Sequence, residues 1–355
     1  MKLSRLTLMM QSLFRRKVSG PTKAGPRREP QIHVIILDGT MSSMAEGMET
    51  NAGHAYRLVS ELIPPVSLYY EAGVQFTRWR NAPDVMMGRG INRQIRRAYG
   101  FLASRYHPGD KIFLMGYSRG AYAVRSLAGV IDQVGLLSAE HATERNVRLA
   151  YRHYESDPTS SSADDFAQLY CHDSVKIEMI GVWDTVKALG IRLPVLWRWS
   201  EEKHKFHNHH LGESVKHGFQ ALAMDETRMA YEPVLWECRD DWLGKLEQVW
   251  FKGSHSDVGG HLDGHEATRP LSNIPLVWMM ERAETCGLPL PSDWRSRFPQ
   301  NAQAPSIGTW RGWGKIFLLR SRRKIGLDRS ERIHESVEPK PEKQDRFKLP
   351  FRKRA

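Results

Sequence analysis

Gly116-Tyr117-Ser118-Arg119-Gly120 stands between a short apolar run, Lys111-Ile112-Phe113-Leu114-Met115, and the residues Ala121-Tyr122-Ala123-Val124-Arg125-Ser126-Leu127-Ala128. Pro108-Gly109-Asp110 bounds the run on its near side, and no proline interrupts the residues after it until well past Gly129, so the order reads strand, sharp turn, helix. A strand that turns into a helix at Gly-x-Ser-x-Gly strains the backbone at the serine, and the positions two residues to either side must be small for strand and helix to approach. Such a nucleophile elbow presents a serine oxygen at the rim of a sheet. The segment therefore predicts an α/β fold with a mostly parallel sheet and flanking helices, and Ser118 as its nucleophile.

A serine needs a base and the base an orienting acid, which in this architecture follow in the order Ser, acid, His at the ends of later strands. Lys176-Ile177-Glu178-Met179-Ile180-Gly181-Val182 reads as a strand and ends in Trp183-Asp184-Thr185. Gln248-Val249-Trp250-Phe251 reads as another and leads to Gly253-Ser254-His255-Ser256-Asp257-Val258-Gly259-Gly260. Asp184 and His255 are the expected acid and base, with His334 as the reserve base. The oxyanion hole is expected from Arg119 N–H and from Gly39 or Thr40, in the loop that follows the strand His33-Val34-Ile35-Ile36-Leu37. Asp38 and Asp257 are expected around that site as supporting carboxylates or metal ligands, or as residues that bond their own loop backbone.

Five ordered segments extend the pattern: Leu37-Asp38-Gly39-Thr40, Gly116-Tyr-Ser-Arg-Gly-Ala-Tyr, Gly181-Val-Trp-Asp-Thr-Val, Ala221-Leu-Ala-Met-Asp-Glu-Thr-Arg and Trp250-Phe-Lys-Gly-Ser-His-Ser-Asp-Val-Gly-Gly. Together they resemble the uncharacterised α/β-hydrolase family that contains the catalytic domains of type VI secretion phospholipase effectors. The resemblance runs from about Ile32 to about Val337 and implies an α/β-hydrolase fold with a Ser-Asp-His triad on Ser118, Asp184 and His255. The chain departs from the family at Met41-Ser42, where Trp-Asn is frequent, at His261-Leu262, and at Gln220, where histidine is common. The function expected is a serine ester hydrolase of the phospholipase or lipase type, with a lipid or ester as substrate and no cofactor. A small-molecule esterase and a catalytically idle adaptor on the same fold are the alternatives. A phosphatase built on Asp38-Gly39-Thr40 needs a nucleophilic aspartate two residues before Asp38, and Ile36 stands there.

With 355 residues and 41% hydrophobic content the chain can bury one large core, and strand-helix alternation favours one elaborated domain, residues 31–337. Cys171, Cys238 and Cys286 are widely spaced and odd in number, which suggests neither a disulfide framework nor a zinc pattern. The net charge of +12 is unevenly placed: residues 1–30 hold eight Lys/Arg against one Glu, and residues 320–355 thirteen against six acids, so the remainder is near −2. Basic termini around a nearly neutral body argue against nucleic acid, which needs cations along a folded groove, and suit peripheral contact with an anionic membrane. Residues 1–30 read as a basic flexible leader whose apolar stretch falls short of the ~20 residues of a membrane span, and residues 338–355 as a disordered basic tail. Synthesis in the cytoplasm is expected, followed by export without a classical signal peptide or by peripheral membrane association.

His204, His207, His209 and His210 lack the spacing of a metal site, and no metal is expected. Leu193 to Trp199 beside them suit a lip over the site. Helices are expected near Gly53–Leu62, Ile91–Tyr106, Asn146–Tyr154, Ser214–Asp225 and Leu271–Cys286, a strand near Val66–Tyr70, and a loop over Ser156–Asp165. Pro289–Trp313 shows no period that assigns it.

Overall fold

A computed structural model describes residues 28–73, 89–186, 210–311, 315 and 317–337. The basic leader up to residue 27, the tail from residue 338, and the segment 187–209 with its histidines and its Leu193–Trp199 lip lie outside the described residues. The chain divides into two units, Met1–Pro30 and Gln31–Ala355, and every element below belongs to the second.

Among the described residues a single sheet holds seven strands: β1 (Ile32–Leu37), β2 (Ser67–Glu71), β3 (Lys111–Tyr117), β4 (Ile177–Trp183), β5 (His217–Ala223), β6 (Lys245–Phe251) and β7 (Glu331–Ile333). They lie in the order β2-β1-β3-β4-β5-β6-β7, and every pairing is parallel. Parallel strands need crossover connections, which place helices on both faces and make the strands apolar throughout. In β1 the alternation is direct: Ile35 and Leu37 enter one core cluster and Val34 and Ile36 the other. The first cluster is closed by Ile95, Tyr99 and Leu102 of α2 (Arg89–Ala103), by Val124 and Leu127 of α3 (Arg119–Gln133), and by Val147 and Tyr151 of α4 (Glu144–Ser156). The second is closed by Ala55, Leu58 and Val59 of α1 (Asn51–Ser60) and, at the far end of the chain, by Ile274, Val277 and Trp278 of α7 (Arg269–Thr285). Each large apolar side chain so enclosed contributes about 1.5–3 kcal/mol.

Two expected elements differ. Ser214–Asp225 is strand β5, not a helix; Gln-Ala-Leu-Ala-Met suits a helix by propensity, but Phe219, Ala221 and Ala223 alternate onto one core and β5 sits between β4 and β6. The loop expected over Ser156–Asp165 ends early: Asp157 accepts from Thr159 N–H at 3.0 Å in a turn, and α5 (Ser161–Tyr170) starts after Ser160. Serine and aspartate mark helix starts as readily as loops. Pro289–Trp313 is irregular where described, apart from a 3-10 turn at Trp294–Arg297 whose Trp294 is fully buried.

Candidate active site

Ser118 follows the last residue of β3, and α3 begins at Arg119. Its backbone sits at φ 56° and ψ −119°, outside the ordinary regions for a side-chain-bearing residue. The turn closes because Gly120 has no side chain: a Cβ there would lie 2.1 Å from the carbonyl oxygen of Leu37, at the end of β1. Asp184, directly after β4, is likewise held at positive φ, 43°. His255 opens α6 (His255–Gly259), a short helix just beyond β6. These three strands run parallel, so all three residues arrive at the C-terminal rim of the sheet, where open α/β folds gather ligands.

The structure brings the three side chains into one hydrogen-bonded line. Ser118 Oγ lies 2.9 Å from His255 Nε2, and His255 Nδ1 lies 2.5 Å from Asp184 Oδ2. With Nδ1–H donating to the carboxylate, Nε2 is left to accept the serine proton. All three residues are buried. Burial pushes the His255 pKa below its usual value against the pull of Asp184, so the resting ring is neutral and able to take a proton. For Asp184 burial acts upward, yet the Arg323 guanidinium and the His255 contact outweigh it and hold the carboxyl well below the usual range.

Two aromatic rings brace the imidazole. Tyr117 stands 4.9 Å from it and Tyr231 4.8 Å, between centroids. Tyr117 O–H donates to His255 O at 3.3 Å, and its ring fits only between glycines: a Cβ on Gly39 would fall 2.7 Å from Tyr117 Cδ1, and one on Gly259 1.8 Å from Tyr117 Cε2. His334, the reserve base, lies elsewhere. Its ring stacks on Phe251 at 4.6 Å and its Nδ1 meets Ser336 Oγ at 2.9 Å.

The supporting carboxylates hold loops. Asp257 accepts from Ser254 N–H and Oγ–H, both at 2.7 Å, from Ser306 Oγ–H at 2.6 Å and from Ile307 N–H at 2.8 Å, tying the start of α6 to the irregular segment after α7. Asp38, completely buried, accepts from Gly39 N–H at 2.6 Å, Thr50 Oγ–H at 2.7 Å and Tyr70 O–H at 2.8 Å. Burial raises its pKa against those bonds. The Gly39 N–H, one of the expected oxyanion donors, is directed to its neighbour's carboxylate, which is sealed from water and needs the donor. Among the described residues no three His, Cys, Asp or Glu side chains group as metal ligands; His210 lies beside Glu237 O, its Nδ1 at 3.0 Å.

Sequence reasoning missed four residues around this line. Arg323 approaches Asp184 with both terminal nitrogens, Nη1 to Oδ1 at 2.5 Å and Nη2 to Oδ2 at 2.8 Å, and also donates to Ala223 O and Tyr231 O. In the sequence it is one of the cations of the basic C-terminal region; in the structure its side chain is buried. Glu226 accepts His255 N–H at 3.1 Å and pairs with Arg228 at 2.6 Å. Burial pushes the Glu226 pKa up, but the Arg228 hydrogen bonds and charge win and keep it ionised. Glu226 and Arg228 belong to the Ala221–Arg228 motif, a signal without a role, and Tyr231 had none.

A seven-stranded parallel sheet flanked by helices, with a strained serine elbow at its C-terminal rim, is an α/β-hydrolase-like fold. Within that class the chain belongs to the type VI secretion phospholipase effector Tle1-like catalytic domain family, which matches residues 31–282. It is also similar to an uncharacterised protein of Saccharomyces cerevisiae, YEL023C, at 29% identity over 222 residues, which is 55% of this chain and 31% of that one. Two solved structures align with it. An uncharacterised protein from Pseudomonas aeruginosa does so at 15% identity with a TM-score of 0.45, over 77% of this chain and 49% of that one. The Tle1 effector bound to the VgrG spike of the type VI secretion system does so at 18% identity with a TM-score of 0.32, over 66% and 52%. The chain thus spans under a third of the yeast relative and about half of each solved chain.

Proposed function

We propose that this chain is a serine ester hydrolase that cleaves acyl esters of phospholipids. The observation that carries the reading is the line Ser118 Oγ, His255 Nε2, His255 Nδ1, Asp184 Oδ2, with gaps of 2.9 and 2.5 Å. Ser118 Oγ attacks the ester carbonyl carbon while His255 Nε2 takes its proton, and Asp184 stabilises the imidazolium that forms. Arg119 N–H, at the first turn of α3, and Thr40 N–H receive the negative charge on the carbonyl oxygen. Collapse of the tetrahedral intermediate expels the alcohol, which takes the proton from His255. Water then enters by the same route and releases the fatty acid from the serine.

Family membership supports a phospholipid over other esters, and the buried, neutral base supports turnover at neutral pH. On this reading residues 31–337 are the catalytic domain, and the protein acts at a membrane surface after export without a classical signal peptide. Ser118→Ala should abolish labelling by a fluorophosphonate probe and lower acyl release from phospholipid vesicles by on the order of 10⁶-fold, with the fold intact. Near-parental turnover by folded Ser118→Ala protein would remove the reading. Brisk cleavage of short soluble esters beside no release from any vesicle would shift it to a small-molecule esterase.

A further inference from the structure

Residues 310–327 contain Arg311, Lys315, Arg320, Arg322, Arg323 and Lys324 and no acid. Two of these cations turn inward: Arg323 onto Asp184, and Arg320 onto Thr227 Oγ1 at 3.1 Å and Thr309 Oγ1 at 2.8 Å. Arg311, Lys315, Arg322 and Lys324 are exposed. So are apolar residues that soluble surfaces usually cover: Leu318 is 78% exposed, Leu319 54%, Trp310 59% and Leu327 67%.

The backbone around Leu319 is tied to the body of the fold. Leu319 O accepts from Met229 N–H at 3.0 Å, and Ser321 N–H donates to Thr227 O at 2.8 Å. Arg320 lies over the Trp310 ring, 3.5 Å from its centroid. The patch also borders the site. Phe317, next to Leu318, meets Tyr231 edge-on at 5.5 Å, and Tyr231 is the ring against His255.

We propose that residues 310–311, 315 and 317–327 form the surface by which the protein docks on an anionic phospholipid bilayer, delivering lipid directly to Ser118. Cleavage of the delivered lipid rests on the ester-hydrolase reading of the site; docking itself does not. Aliphatic and indole side chains enter the acyl boundary, and four exposed cations with no acid among them meet the lipid phosphates. Charge complementarity selects this occupant: an apolar protein partner would not call for unopposed cations around the leucines.

The test uses the full chain. Binding is measured on Ser118→Ala protein by co-sedimentation with vesicles of phosphatidylcholine alone or mixed with phosphatidylglycerol, and turnover of a soluble short-chain ester on Ser118-intact protein. The unaltered surface should prefer the mixed vesicles. Leu318→Ser with Leu319→Ser should weaken binding to both vesicle types by about tenfold. Lys315→Glu with Arg322→Glu and Lys324→Glu should weaken binding to mixed vesicles by on the order of 100-fold, more at low salt than at high. Both sets should hydrolyse the soluble ester within about twofold of the parent, which also reports that they fold. Parental vesicle binding by both sets, or loss of binding only on deleting residues 1–30, overturns the proposal, as does absence of vesicle binding beside normal ester turnover. Vesicle binding that responds to these variants, in a parent that hydrolyses no ester, supports docking and refutes the hydrolase reading instead.

Discussion

Arg323→Met exchanges a buried guanidinium for an apolar side chain of similar length. Asp184 accepts from His255 Nδ1, from Ala223 N–H at 3.0 Å, and from both terminal nitrogens of Arg323. The substitution removes the last two, and Ala223 O and Tyr231 O lose a donor as well. Breaking a buried ion pair from one side costs about 3–5 kcal/mol, because the remaining charge stays out of water. At about 2 °C per kcal/mol for a large domain, the melting midpoint should drop by on the order of 5–10 °C. Catalysis should respond separately. Guanidinium and imidazolium share one carboxylate; without the guanidinium the undivided charge faces His255, favours the protonated ring and raises its pKa. His255 can act as a base only when neutral, so the acidic limb of kcat/KM should move to higher pH by on the order of one unit, about 1.4 kcal/mol. Arg323→Lys retains the charge without the two-point geometry and should restore part of that shift. The assay is soluble-ester turnover across pH on both variants, paired with thermal unfolding. A folded Arg323→Met protein with the parental midpoint and a superimposed pH profile would refute the reasoning.

His255→Ala should cost about as much activity as Ser118→Ala, whereas His334→Ala, which removes a ring stacked on Phe251, should leave most turnover intact; the reverse ranking in one ester assay would assign the base to His334. Asp257→Asn cannot accept all four donors that converge there, so it should lower stability by about 1–3 kcal/mol and loosen the start of α6; an unchanged denaturation midpoint would show that the anchor is dispensable. Burial, followed by the charges of Arg269 and Arg57, pushes the His54 pKa down to about 3, and burial lowers that of His255. Unfolded, both take a proton near 6.5, so below that pH the unfolded chain binds more protons and stability falls as pH drops toward 3. Thermal midpoints over that window should decline, and less steeply in His54→Phe; a flat midpoint in the parent contradicts the sign.

The elbow was legible because it joins three local signals, an apolar strand, a glycine pair and a proline-free helix, within twenty residues. Asp184 and His255 were legible for a related reason: each comes after a buried strand whose apolar run needs no knowledge of its neighbours. Strand β5 was misread because Ala, Leu and Met fit a helix locally, and only its place between β4 and β6 decides otherwise. The bond from Gly39 N–H to Asp38 was not legible, because it depends on how deeply the carboxylate is buried. Arg323 was invisible. It pairs with Asp184 across 139 positions, and in sequence one arginine of a basic run resembles the next.

The Tyr117 ring, seated between Gly39 and Gly259, makes three distant stretches of chain answerable to one another. A side chain at 39 or 259 is excluded only while the ring fills the space, so the cost of any change there depends on what occupies 117. The three positions form an epistatic set whose effects will not add. A lineage could vary the loop after β1 or the helix that carries His255 only in a fixed order, shrinking the ring before either glycine gains a side chain. The residue beside Ser118 thus sets which neighbouring variants are reachable.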